Sequence, residues 1–262
     1  MEEIYQDLKN EYEALDTIVA GLSGEQWDLL TPFIGWTIKY EIAHVAYWDM
    51  AARVAATDGE AFKKLIEDML TSEEAYDESQ RELREAAPAY VMDYWRRERR
   101  GLIDALAARD PKDRIPWVGP TMSARSKATA RIMETWAHGQ DVVDTLGIKR
   151  EPTNRLNHVA HIGVITFGWS HVNRGLEVPD VAVRVELTGP SGDLWTWGPE
   201  EASESIKGQA EDFCLVVVQR RHVDDTGLEV EGDVARNWML IAQAFAGPPV
   251  EGPKPGERVT GK

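Results

Sequence analysis

The chain has 262 residues, a length that suits one large domain or two modest ones and buries a core without staples. Its formal net charge of −16 argues against a nucleic-acid or anionic-membrane binder, because both need basic patches to meet phosphate. The single cysteine, Cys214, excludes an internal disulfide framework and a cysteine-rich zinc site.

Ile4, Leu8, Tyr12, Leu15 and Val19 recur at three and four, the period of an amphipathic helix. Thr37 is a good N-cap for a second helix through Ile42, Ala43, Val45 and Ala46, stopped by Asp58-Gly59. A charged stretch over 60–85 predicts one or two surface helices. Pro88 opens another helix, in which Arg96, Arg97, Arg99 and Arg100 read as a solvated face. Three prolines between 110 and 122 predict a loop. Ser123 caps a long helix to Leu146, ended by Gly147, and a further helix covers about 154–174.

At Pro179 the period changes. Val181 to Leu187 alternates at two, Gly189-Pro190-Ser191-Gly192 is a turn, and Asp193 to Gly198 is the hairpin partner. A short strand at 204–207 and helices near 210–220 and 233–245 follow. Cys214 sits in an apolar run and reads as a buried structural thiol, while Arg220 and Arg221 read as a solvated pair, with a place facing the cleft between the two expected domains as the alternative. The expected organisation is a helical bundle over 1–176, a small α+β domain over 177–246 and a flexible Gly/Pro-rich tail over 247–262. The fold class is α+β. The acidic start is no signal peptide and no apolar run is long enough to span a bilayer, so the expected location is the cytoplasm.

Walker, dinucleotide, His-Glu-x-x-His and Gly-x-Ser-x-Gly signatures are absent. Six histidines remain: His44, His138, His158, His161, His171 and His222. Glu134 and His138, four apart on one helix, fall about 40° apart and about 6 Å along the axis, close enough to share a metal ion. The same spacing also serves an ordinary solvated pair. His44 lies on an apolar helix, where an imidazole needs partners for its nitrogens: a backbone carbonyl, or a metal shared with the helix of Glu134 and His138. Asp141, three beyond His138, is placed to orient a ligand ring or to sit exposed. His158 and His161 form a competing pair without an acidic third ligand, read as structural or pocket-lining; His171 and His222 read as surface or structural. Ten tryptophans exceed the usual share and fit either a filled core or an indole-lined pocket.

The segments Gly35-Trp36-Thr37-Ile38-Lys39-Tyr40-Glu41-Ile42-Ala43-His44-Val45-Ala46 and Glu134-Thr135-Trp136-Ala137-His138-Gly139-Gln140-Asp141 resemble the two ligand helices of the DinB-like metal-binding bundles. They are most similar to the actinobacterial branch that includes mycothiol-dependent maleylpyruvate isomerase. The resemblance implies an antiparallel bundle in which His44, Glu134 and His138 hold a metal, Zn2+ or another divalent ion such as Ni2+, with water in the open position. It covers about the first 150 residues well, and the remainder resembles the branch's small C-terminal domain.

The resulting expectation is a zinc-dependent isomerase or transferase that uses mycothiol or another small thiol on a small electrophilic substrate. No residue must be a general base, so a non-catalytic metal- or ligand-binding module is the alternative. A bundle without metal, holding a satisfied core histidine, is the third reading. Catalytic and thiol-binding residues are not identified by the sequence.

Overall fold

The amphipathic period at the start of the chain becomes helix α1 (Glu2–Val19), which buries Ile4, Leu8, Tyr12, Leu15 and Val19. In α2 (Ile38–Thr57) the hydroxyl of Thr37 accepts a hydrogen bond from Tyr40 N, a cap contributing about 1 kcal/mol. Asp58 ends α2 and caps α3 (Gly59–Met69), and Ser72 caps α4 (Glu73–Glu85). Pro88 is the first residue of α5 (Pro88–Ala107). Ser123 caps α6 (Ala124–Leu146), and Gly147 ends it with φ 64°, a left-handed conformation that glycine adopts without a Cβ clash.

The computed structural model describes residues 2–258. The chain forms two compact units, Met1–Ile148 and Lys149–Lys262. In the first, α2 packs on α5 and α6, and α1 packs on α5 and α6 around a core that includes Trp95, Leu102, Ile42 and Ile132. This is the helical bundle, with α2 and α6 as direct neighbours. The expected loop over 110–122 is instead a two-stranded antiparallel ribbon, β1 (Arg114–Trp117) and β2 (Gly119–Ser123). Pro116 and Pro120 are tolerated because a two-stranded ribbon consists of edges, where a missing N–H breaks no central ladder.

The second unit begins before the change of period. The expected seam near 176 falls inside it, because α7 (Leu156–Ile165) packs against α9 (Ala210–Val217). A Cβ on Gly163 would come within 2.7 Å of Val217, so glycine permits this close approach. The helix expected over 154–174 breaks into α7 and α8 (Phe167–Val172) at Thr166, whose hydroxyl donates to the carbonyls of Ile162 and Gly163.

The sheet comprises β3 (Val183–Thr188), β4 (Leu194–Trp197), β5 (Glu204–Gln209) and β6 (Glu229–Glu231), in the order β4-β3-β5-β6. β3 pairs with β4 antiparallel, as the turn at 189–192 predicts, and with β5 parallel. Its alternation buries Val185 and Leu187. The helix α10 (Asp233–Ile241) covers β5 and β6.

Residues 247–258 do not hang free as expected of a tail. Val250 O accepts from Arg174 and Gln219, and Gly256 N donates to Asp225. The rest of the expected tail, 259–262, lies outside the described residues. Arg220 and Arg221 are buried rather than solvated, and the side chain of each bonds a backbone carbonyl. Among the described residues, no helix is long and apolar enough to cross a membrane.

Candidate metal centre

His44 projects from the second turn of α2, and Glu134 and His138 project from the middle of α6. The apolar stripes that pack these helices together also bring the three side chains to one point. One donor atom from each of His44, Glu134 and His138 lies within 4.8 Å of the others. The imidazole centroids of His44 and His138 are 4.7 Å apart, and His138 Nε2 is 3.4 Å from Glu134 Oε2.

Both imidazoles are engaged on their far sides. His44 Nδ1 donates to Gln80 Oε1 at 3.2 Å, and His138 Nδ1 donates to Glu41 Oε2 at 2.7 Å. Those bonds leave the Nε2 atoms for the shared point. Two imidazoles and one carboxylate form a donor set that suits zinc and similar divalent ions, with three ligands rather than a closed four.

Burial holds the His44 imidazole well below its ordinary pKa, and His138 and Arg131 push it the same way. Burial pushes Glu134 upward, but the bond to His138 and the fields of His138, Arg131 and His44 outweigh it and hold the carboxyl at about 2. Glu134 therefore keeps its negative charge. Burial raises Glu41, and Asp141 adds to that, while His138 and Thr31 oppose it.

An aromatic turn walls the site. Trp36 N donates to Phe33 O, and Thr31 N donates to Trp36 O, closing the chain over residues 31–36. This places the Trp36 ring 5.0 Å from His44 and 5.9 Å from His138, nearly parallel to the latter. Phe33 meets His138 edge-on at 5.8 Å, and Trp48 lies 6.2 Å from His44. The tryptophans thus serve both expected ends: Trp36 and Trp48 line the site, whereas Trp95 and Trp238 fill cores.

The other sequence candidates stand outside the His44–Glu134–His138 set, although a donor atom of Asp141 lies within 4.8 Å of those of His138 and Glu41. Asp141 is fully buried, and the carboxylate bonded to His138 Nδ1 is Glu41. His158 and His161 join no group of three metal-ligating side chains among the described residues. His171 Nδ1 bonds Phe167 O, and His222 Nδ1 accepts from Asp224 N. Sequence reasoning missed Glu41, Gln80 and Thr31. A glutamate three before His44 on an apolar helix was the available signal for Glu41, since a carboxylate there needs a buried partner. Nothing in the charged sequence of α4 distinguishes Gln80.

The family model for the mycothiol maleylpyruvate isomerase N-terminal domain matches residues 8–143, which carry the whole cluster. A model for wyosine base formation matches residues 179–228. Uncharacterized proteins from two strains of Mycobacterium tuberculosis are each 42% identical over 247 residues, covering 94% of this chain and 96% of theirs. Crystal structures of mycothiol-dependent maleylpyruvate isomerase and of a histidine-to-alanine mutant of it share the fold. Their TM-scores are 0.59 and 0.60 at 18% identity, covering 87% of this chain and 92% of theirs.

Proposed function

Because the chain belongs to the mycothiol maleylpyruvate isomerase N-terminal domain family, within the DinB-like bundles, we propose that it is a metal-dependent enzyme of thiol chemistry. It holds a divalent ion, zinc foremost, on His44, Glu134 and His138. With mycothiol or a similar small thiol it isomerises a small electrophilic substrate or transfers the thiol to it. The observation that carries this reading is the approach of the three donor atoms to within 4.8 Å of one another, with the second nitrogen of each imidazole already occupied.

A divalent ion held there would favour the thiolate form of a thiol that reaches it. The chain's own residues account for the rest. His44 and His138 present Nε2 lone pairs because Gln80 and Glu41 accept hydrogen bonds from their Nδ1–H groups. Glu134 brings one negative charge and remains 24% exposed, so it faces the approach from solvent. Phe33 and Trp36 exclude water from one flank. In an isomerase the thiol adds to a conjugated double bond, the remaining single bond rotates, and the thiol leaves. In a transferase the carbon–sulfur bond persists. Cys214 takes no part: its thiol is fully buried in the second unit, and burial raises its pKa well above the ordinary value.

Cobalt substitution tests the reading, because cobalt–thiolate ligation gives an intense charge-transfer band. The band should be absent from the cobalt protein alone and arise on adding a small thiol, with Cys214→Ser behaving identically. A band without added thiol would point to Cys214 and a closed site. Cobalt binding with no band at any thiol concentration would remove the thiol chemistry and leave a non-catalytic metal-binding module.

A further inference from the structure

Behind His138 lies a carboxylate that the three-ligand set does not use. Glu41 is fully buried on α2, one turn before His44. Its two oxygens are divided between two donors. Oε1 accepts the hydroxyl of Thr31 at 2.6 Å, and Oε2 accepts Nδ1–H of His138 at 2.7 Å. Withdrawing a carboxylate from water costs several kcal/mol before such bonds are counted. Core packing alone would be met by an apolar side chain of similar volume. The brace on the other imidazole is longer and neutral, the amide oxygen of Gln80 at 3.2 Å from His44 Nδ1. The two histidines are therefore held unequally, and the charged partner belongs to His138.

We propose that Glu41 is a positioning residue for His138, and that Thr31 locks Glu41 in place. The Nδ1–H bond fixes the ring orientation and the tautomer in which Nε2 carries the lone pair. The carboxylate also makes that nitrogen a stronger donor, as an outer partner does for a ligating histidine. Thr31 prevents the carboxylate from rotating away. Because Thr31 opens the turn that carries Phe33 and Trp36, the aromatic wall and the ligand share one hydrogen-bonded support. The proposal rests on the metal reading of His44, Glu134 and His138.

The rival role for Glu41 is direct ligation. Donor atoms of Glu41, His138 and Asp141 also lie within 4.8 Å of one another. The 2.7 Å bond already occupies the Nδ1 atom that such a site would need.

The test is a zinc titration of the metal-free full-length chain against a chromophoric chelator. It is run on wild type, Glu41→Gln, Glu41→Ala and Thr31→Val, with the cobalt d–d spectrum of each and the helical circular dichroism of the metal-free form. Wild type should bind one equivalent. Glu41→Ala should lose about 10–100-fold in affinity, the range for removing an outer partner. Glu41→Gln, which keeps an acceptor oxygen but not the charge, should lose less, and Thr31→Val least. The cobalt bands should shift in both Glu41 variants. If Glu41→Ala fails to fold, the near-isosteric glutamine variant and Thr31→Val still decide. Unchanged affinity and cobalt spectra in folded Glu41 variants would overturn the proposal while leaving the metal reading intact. Two equivalents on wild type, one of them lost in Glu41→Gln, would make Glu41 a ligand and also overturn it. A wild type that binds no divalent metal would defeat the metal reading first and this proposal with it.

Discussion

Arg131 Nε donates to Asp49 Oδ1 over 2.8 Å, with both side chains withdrawn from water. The pair joins α6 to α2 one turn before Glu134. Asp49 also accepts the hydroxyl of Tyr12 at 2.6 Å and the indole N–H of Trp95 at 2.9 Å, and Arg131 donates a second bond to Val45 O. Removing Asp49 would leave the Arg131 charge buried without its partner, a loss that typically costs about 3–5 kcal/mol. Asp49→Ala should therefore lower the unfolding free energy of the metal-free protein, read from urea titration, by that amount. An apolar replacement of both partners, Asp49→Leu with Arg131→Met, should recover most of it, because it removes the stranded charge as well. A single variant as stable as wild type would show that water reaches Arg131.

The three ligand candidates predict a sharp contrast among histidines. His44→Ala should weaken zinc binding by more than the roughly 10–100-fold that an outer partner is worth. His222→Ala should bind as wild type does, because its ring caps a short turn in the other unit by accepting Asp224 N. Equilibrium dialysis followed by metal analysis reads both. Equal retention in the two variants would remove His44 from the site.

The first unit contains its own hydrophobic core, running from Ile4 to Val142, and all three candidate ligands. A fragment of residues 1–148 should accordingly be helical by circular dichroism and take up one equivalent of zinc. Extending it to 176 should add no stability, since α7 would lack α9, its packing partner. A fragment that stays unfolded with zinc present would make the chain one indivisible domain.

Where the sequence was readable, the deciding physics was local. Thr37, Ser123 and Gly147 mark the ends of α2 and α6 through caps whose chemistry depends on a few neighbouring residues. Glu134 and His138 share a helix face and His44 interrupts an apolar one, which is what makes these three stand out as ligand candidates. Glu41 was hidden by an adequate local explanation, as an acidic residue in a first turn complements the helix dipole. Its two hydrogen bonds come from Thr31 and from α6, and helical periodicity does not report on those. Gln80 was hidden because α4 is dominated by charge, yet this one side chain is buried against His44. The edge of the second unit is hard to read from the sequence for a similar reason. The change of period at Pro179 is real, but α7 is assigned by its packing on α9, a contact between residues distant in sequence.

Lys127 provides a prediction with a defined sign in pH. It is fully buried on α6, and its Nζ has no hydrogen-bond partner. Burial, with Arg131 adding repulsion, drives its pKa well below the ordinary 10.5. The face of Trp117, 3.1 Å from Nζ, attracts a cation, but such contacts are worth about 0.5–2 kcal/mol. Desolvating an ammonium costs several kcal/mol, so the neutral amine prevails. Between the depressed folded value and 10.5 the unfolded chain then holds a proton that the folded chain lacks. Stability contributed by this group must rise with pH across that window, and it is flat below the folded value and above 10.5, where both states carry the same charge. Lys127→Met keeps the packing volume and removes the titration. The variant should be more stable than wild type at neutral pH, and its advantage should shrink as pH approaches 10. Urea midpoints of both proteins from pH 7 to pH 10 measure the difference. Parallel profiles would mean that Lys127 stays charged over the indole and that the ring outweighs burial.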